Sequence, residues 1–202
     1  MKNCFIIILG LLLFGPGLRA QSLEIMAGSD GVFMDVQYLK FIDKHKRFSV
    51  FSRSRSMTDY AGEEIDMFSG AYLNYTTQCG FGASLVGRIA SSSSGVDVGL
   101  HYFKSNKTWM IYALPTIHID DNLLYSWFSI VRYTRERSES SNWIFGYELF
   151  TAFGEDGHLS TVQRLRGGLE INGFQFGPAL NHQLFESHED KINFGIFIKK
   201  QF

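Results

Sequence analysis

Apolar and polar residues alternate with a period of two through most of this chain, which constrains its fold more than any motif does. In residues 191–202 (KINFGIFIKKQF), Ile192, Phe194, Ile196, Ile198 and Phe202 share one parity, while Asn193, Gly195, Lys199 and Gln201 dominate the other. Residues 95–104 set Val96, Val98, Leu100 and Tyr102 against Asp97, Gly99, His101 and Phe103, and residues 81–89 set Phe81, Ala83, Leu85 and Ile89 against Gly82, Ser84 and Arg88. Trp143, Phe145, Tyr147, Leu149 and Phe153 oppose Asn142, Gly146, Glu148 and Ala152. Leu159, Leu165, Leu169 and Ile171 oppose Ser160, Arg164, Arg166, Gly168 and Glu170, and Phe174, Phe176, Pro178 and Leu180 oppose Gln175, Gly177, Ala179 and Asn181. Less regular runs lie at 32–42, 47–56, 67–76, 109–119 and 123–133. Successive side chains of an extended chain point to opposite faces, so each run reads as a strand with one apolar face. No segment sustains a helical period to the same degree.

Turn chemistry separates the runs, at 43–46, 77–80, 91–95, 105–107, 120–122, 154–157 and at Asn172-Gly173, where both residues tolerate positive φ. Neighbouring strands are therefore joined up and down, as in a meander that closes on itself. Counting back from Phe202 gives ten strands to residue 47 and an eleventh at 32–42. Single-chain bacterial barrels have even strand numbers, so residues 23–27 are expected to supply a twelfth through a turn at 28–31, with ten as the alternative if a weak run does not span. The predicted fold is all-β, an up-and-down antiparallel transmembrane β-barrel, because hydrocarbon offers no partner for the polar backbone of a sheet edge and closure removes the edge. A soluble barrel of lipocalin type would turn the apolar parity inward. The bulky aromatics on that parity favour lipid contact, with Trp109, Trp127, Trp143 and Tyr125 near strand ends as interfacial anchors. Loops 57–65 and 185–190 then lie outside the cell and 43–46 on the periplasmic side; a long periplasmic connection at 136–141 fits that register less well.

The ends and the composition narrow the setting. Met1-Lys2-Asn3, the apolar run 5–14 (FIIILGLLLF) and Leu18-Arg19-Ala20 read as a cleaved signal peptide at 1–20, leaving 21–202 as one outer-membrane barrel domain. The run is about half of the roughly 20 residues that a membrane-spanning helix needs. Cys4 falls inside the signal, so Cys79 is left without a partner for an internal disulfide. Lys+Arg 19 against Asp+Glu 20 gives no broad basic surface, which argues against nucleic acid as a partner.

The signal, the alternating strands and the last strand ending on Phe202 resemble small outer-membrane β-barrel proteins of bacteria, the porin-like ones of Bacteroidota type. The resemblance implies localisation in the cell outer membrane, contact with outer-membrane lipids, and delivery by the barrel-assembly machinery, for which Phe194, Ile196, Ile198 and Phe202 occupy the parity of the assembly signal. Lys200 departs from that pattern, since the outward position is usually apolar; a lysine near the interface can snorkel to the headgroups.

If the apolar parity faces lipid, the other lines the lumen. It collects Arg53, Arg55, Arg88, Arg132, Arg164 and Arg166 against Asp35, Asp97, Glu148 and Glu170, together with His101. Guanidinium groups pair with carboxylates and phosphates and stay charged, so two readings stand side by side: a narrow channel for small anionic solutes, and a non-conducting structural or loop-displaying barrel whose charges pair internally. In the closed alternative Glu148 and Glu170 are the expected partners of Arg164 and Arg166. A lipid-modifying enzyme is a distant third. Its candidate, His158 with Ser160, lies on one strand face if the strand is regular, and that face points to the lumen and away from acyl chains. No catalytic residue, cofactor or metal is expected; Glu186, His188, Glu189 and Asp190, or His118 with Asp120 and Asp121, are acidic and histidine-bearing loops that read more simply as solvated.

Overall fold

The alternation is realised as twelve strands. The computed structural model describes residues 21–91, 94–119, 124–186 and 190–202, so the signal-peptide reading of 1–20 lies outside them. The strands are β1 (Ser22–Gly28), β2 (Gly31–Phe41), β3 (Phe48–Asp59), β4 (Ile65–Thr76), β5 (Phe81–Ala90), β6 (Ser94–Ser105), β7 (Trp109–His118), β8 (Tyr125–Ser138), β9 (Ser141–Gly154), β10 (Gly157–Ile171), β11 (Phe174–Phe185) and β12 (Lys191–Gln201). Each pairs with its sequence neighbours, and β1 pairs antiparallel with β12 to close the barrel. The strand count is thus twelve rather than ten. The short run around Leu23 does form a strand, held between Val36 of β2 and Lys200 of β12.

Two loops are shorter than the sequence suggests. The loop expected at 57–65 narrows to residues 60–64, since β3 runs to Asp59 and β4 starts at Ile65. The connection expected at 136–141 is a tight turn, because Glu136 pairs with Asn142 and Ser138 with Ser141 across a local irregularity. That removes the misfit of a long loop at the end of the barrel that carries both termini. At the same end Asn172 and Gly173 take φ 52 and φ 75, the doubly left-handed geometry that lets a two-residue turn follow the twist of its strands.

Burial shows which parity faces out. Leu100 and Ile196 are each 70% exposed, and Leu85, Val98, Phe145, Phe194 and Ile198 are also exposed, while Asp35, Asp97, His101, Asn181 and Asn193 are buried inside. A lipocalin-like arrangement is therefore excluded: the apolar face is the outer one. Hydrocarbon makes that face favourable, whereas water would penalise it. Trp109 and Trp143 sit at the starts of β7 and β9, at the end of the termini, and Tyr125 and Trp127 at the start of β8, at the distal end. Aromatic pairs reinforce the termini end, with Trp109 on Tyr133 at 4.6 Å and Phe48 on Tyr75 at 4.9 Å between ring centroids. Lys200 lies there too, its Nζ 3.9 Å from the Phe174 centroid and donating to the Asn172 carbonyl, so the outward lysine reaches the polar turn instead of the hydrocarbon.

The inside is not uniformly polar. Met26, Phe33, Ala179 and Phe197 form one buried apolar cluster, and Tyr72, Val86, Leu114, Phe128 and Ile130 form another. Each cluster occupies one sector of the wall, the first on β11, β12, β1 and β2 and the second on β4, β5, β7 and β8.

Candidate functional site

Strands on opposite sides of the lumen bring the predicted charges together in a central layer. Arg53 of β3 donates to both oxygens of Asp35 on β2, at 2.8 and 2.7 Å, and to Glu148 of β9 at 2.7 Å. Arg55, two residues on and so on the same face, donates to the other Glu148 oxygen at 2.8 Å, and Arg164 of β10 donates to that oxygen as well. One carboxylate thus answers three guanidinium groups. Arg166 finds Glu24 of β1 at 2.7 Å, the Asn181 side chain at 2.9 Å and the carbonyls of Leu165 and Leu180. The pairing of Arg166 with Glu170 does not form, because Glu170 lies four residues further along β10 and accepts from Asn142 and Gln175. Arg132 donates to Gln37 at 3.2 Å, and Lys199 approaches Glu24 at 4.0 Å.

Among the described residues this layer holds six cations (Arg53, Arg55, Arg132, Arg164, Arg166, Lys199) and three carboxylates (Glu24, Asp35, Glu148). The Nε atoms of Arg55 and Arg164 are buried without a hydrogen-bond partner. Buried ions keep their charge at a desolvation cost that each opposite charge offsets, so the layer has a positive excess fixed by the fold. Aromatic faces take part of that excess: Arg164 and Arg166 lie 5.1 and 5.6 Å from the Phe33 centroid, and Arg55 lies 4.5 Å from that of Phe68.

Not every predicted lumen residue joins the layer. Arg88 and Asp97 pair at 2.8 Å, with His118 at 2.7 Å from the same carboxylate, in a separate cluster toward the distal end. His101 is held between Thr76 and Ser84 at 2.8 and 2.7 Å. Glu24 was missed, although the parity of β1 carries the signal, since Leu23 and Ile25 flank it on the outer face. The inward aromatics Phe33, Tyr72, Phe128 and Phe197 were missed because they sit on the parity otherwise marked by polar residues.

The layer divides the lumen. A cavity of about 610 Å³ lies on the distal side, bordered by Arg55, Phe68, Leu114, Phe128 and Phe150. Another, of about 380 Å³, lies on the side of the termini, bordered by Gln37, Phe51, His101, Arg132 and Lys199. Phe128 borders both, and between them the charged layer itself encloses only about 80 Å³.

The histidine–serine pair is not a pair. A β-bulge between His158 and Ser160 sets His158 opposite Phe153 and Ser160 opposite Ala152. Phe153 faces out and Ala152 in, so the two side chains lie on opposite sides of the wall, and Leu159 joins Ser160 on the distal cavity instead of facing lipid. His158 bonds Thr161 at 2.8 Å and packs edge-on against Phe153. Residues 120, 121, 188 and 189 of the acidic loops lie outside the described residues.

No family model and no curated protein matches the sequence. Solved structures do match the fold. A KdgM porin superposes with a TM-score of 0.53 at 11% identity over 90% of this chain and 99% of that one. A KdgM porin in complex with disordered oligogalacturonate gives 0.52 at 10% identity over 90% and 99%. LpxR from Salmonella typhimurium gives 0.46 at 10% identity over 98% and 96%. The fold is that of the porin-like outer-membrane β-barrels: twelve antiparallel strands, closed, apolar outside and charged within.

Proposed function

We propose that the protein is an integral barrel of the outer membrane whose lumen passes small anionic solutes through a narrow, arginine-rich constriction. The observation that carries this reading is the excess of six cations over three carboxylates in the layer between the two cavities. A fixed positive field in a narrow, low-dielectric passage repels cations and lowers the barrier for anions, and arginine keeps that field at any physiological pH. Carboxylates are the solute class it favours, because the guanidinium fork meets two oxygens at once. One barrel of the same fold, the KdgM porin, is described with bound oligogalacturonate, a carboxylate-bearing sugar chain, which agrees in class. The exposed Phe194, Ile196, Ile198 and Phe202 are proposed to guide assembly.

A second reading, a non-conducting barrel, is favoured by Phe128 standing between the cavities and by the carboxylates of the layer all being engaged. Conductance of the purified, heat-modifiable protein in planar bilayers separates the two. The channel is expected to show a small conductance, with a reversal potential in a KCl gradient on the anion side. Arg132→Gln removes the cation whose hydrogen bond goes to a neutral amide, that of Gln37, and should move that potential toward zero. Silence of the correctly folded barrel supports the closed reading and rejects the channel.

A further inference from the structure

The distal cavity of about 610 Å³ is walled mainly by apolar side chains, with Phe68, Leu114, Phe128 and Phe150 contributed by β4, β7, β8 and β9. An ion pathway has no need of such a wall. Water against aromatic and aliphatic surface is readily displaced by hydrocarbon, and the volume falls within the roughly 300–1,000 Å³ of small-molecule sites. The same cavity also holds an incompletely answered cation. Arg55 lines it, stands over Phe68 with its guanidinium 4.5 Å from the ring centroid, and donates a single hydrogen bond to Glu148, a carboxylate already shared with Arg53 and Arg164. Its Nε is buried with no partner. The other cations at the cavity are engaged, Arg88 by Asp97 at 2.8 Å and Lys191 by Glu64 at 2.5 Å.

From this juxtaposition we infer that the distal cavity is a binding site for a single-chain amphiphile with a compact anionic head, a carboxylate foremost. The head meets Arg55 at the central layer, and the chain lies along Phe68, Leu114, Phe128 and Phe150. Each part of the ligand answers a separate part of the site: the chain replaces water on the apolar wall, and the head supplies the negative charge that Glu148 divides among three arginines. The site lies to one side of the constriction, so its occupancy does not depend on whether that constriction conducts.

The test uses the full barrel in lipid nanodiscs, with radiolabelled dodecanoate as probe, dodecanol as the uncharged control and empty nanodiscs as the partition background. The expected result is saturable binding of one dodecanoate per barrel above background, with dodecanol weaker by about tenfold or more, the size of a charge-assisted hydrogen bond. Arg55→Gln should bring the two probes to equal affinity. Ala152→Trp, which fills the cavity from a buried wall position, should abolish binding of both. Heat-modifiable migration certifies that each variant is folded. If Ala152→Trp does not assemble, the Arg55→Gln comparison decides alone. Binding no greater than to empty nanodiscs overturns the site, and equal binding of dodecanoate and dodecanol to the unaltered barrel overturns the anionic class.

Discussion

Two sectors of the lumen bury aromatic side chains and cover them to different degrees. Around β1, β2, β11 and β12, the cluster of Met26, Phe33, Ala179 and Phe197 is covered by guanidinium groups: Arg164 and Arg166 stand over Phe33, and Arg166 also lies 5.8 Å from the Phe197 centroid. On the other side Tyr72, Val86, Leu114 and Phe128 border an open cavity, with one guanidinium at its edge, Arg53 at 6.0 Å from the Phe128 centroid. The difference comes from the neighbouring strands. β10 supplies two arginines at successive inward positions, with Glu148 and Glu24 to hold them, whereas β7 presents Leu114 and Thr116 at its inward positions. An aromatic in a wide barrel therefore becomes part of a plug only where a long, charge-bearing side chain reaches across it and a carboxylate holds that side chain in place. Where a single guanidinium only reaches its edge, as Arg53 does at Phe128, it remains a wall.

The largest effect that can break this contrast is at Glu148. Glu148→Gln leaves three arginines without their shared carboxylate, which should cost about 3–5 kcal/mol of stability in chemical unfolding of the barrel in micelles. A loss under about 1 kcal/mol would mean that water or an anion already carries the compensation and that the plug is not held by this residue. Next in size is the contrast between outside and inside. Ile196→Arg on the outer face should cost about 2–4 kcal/mol when the barrel folds into bilayers, and Ser126→Arg in the distal cavity under about 1 kcal/mol. Equal costs would show that the outer face does not meet hydrocarbon. The smallest and sharpest comparison is between the two phenylalanines. Phe33→Leu removes a ring under two guanidinium groups and Phe128→Leu a ring beside a cavity under one more distant guanidinium, that of Arg53, so the first should be worse by about 1 kcal/mol. If the order reverses, the cations over Phe33 contribute less than the packing around Phe128.

Much of the wall was legible because a period of two is a local property: Leu100 and Asp97, or Ile196 and Asn193, declare their faces to any reader of the chain. The inward list was legible for the same reason, and all six predicted arginines lie on the lumen side. The failures mark the places where local periodicity breaks or the partner is remote. The bulge before Ser160 adds a residue to β10 and turns His158 outward, and nothing within His158-Leu159-Ser160 announces it. Arg166 chooses Glu24, from the opposite end of the chain, over the nearby Glu170 because closure through β12 brings β1 to within three strands of β10. The apolar cavity escaped notice because Phe128 and Phe150 occupy positions at which parity alone leads one to expect polar groups.

What the sequence determined by itself is the strand, the face and the sign of the interior charge, since these follow from the alternation of side chains along an extended backbone. What only the tertiary structure decided is the pairing: which carboxylate meets which arginine, which aromatic is covered, and where the lumen narrows. Those depend on distances between residues such as Arg53 and Glu148 that the chain separates and only the closed sheet brings to 2.7 Å.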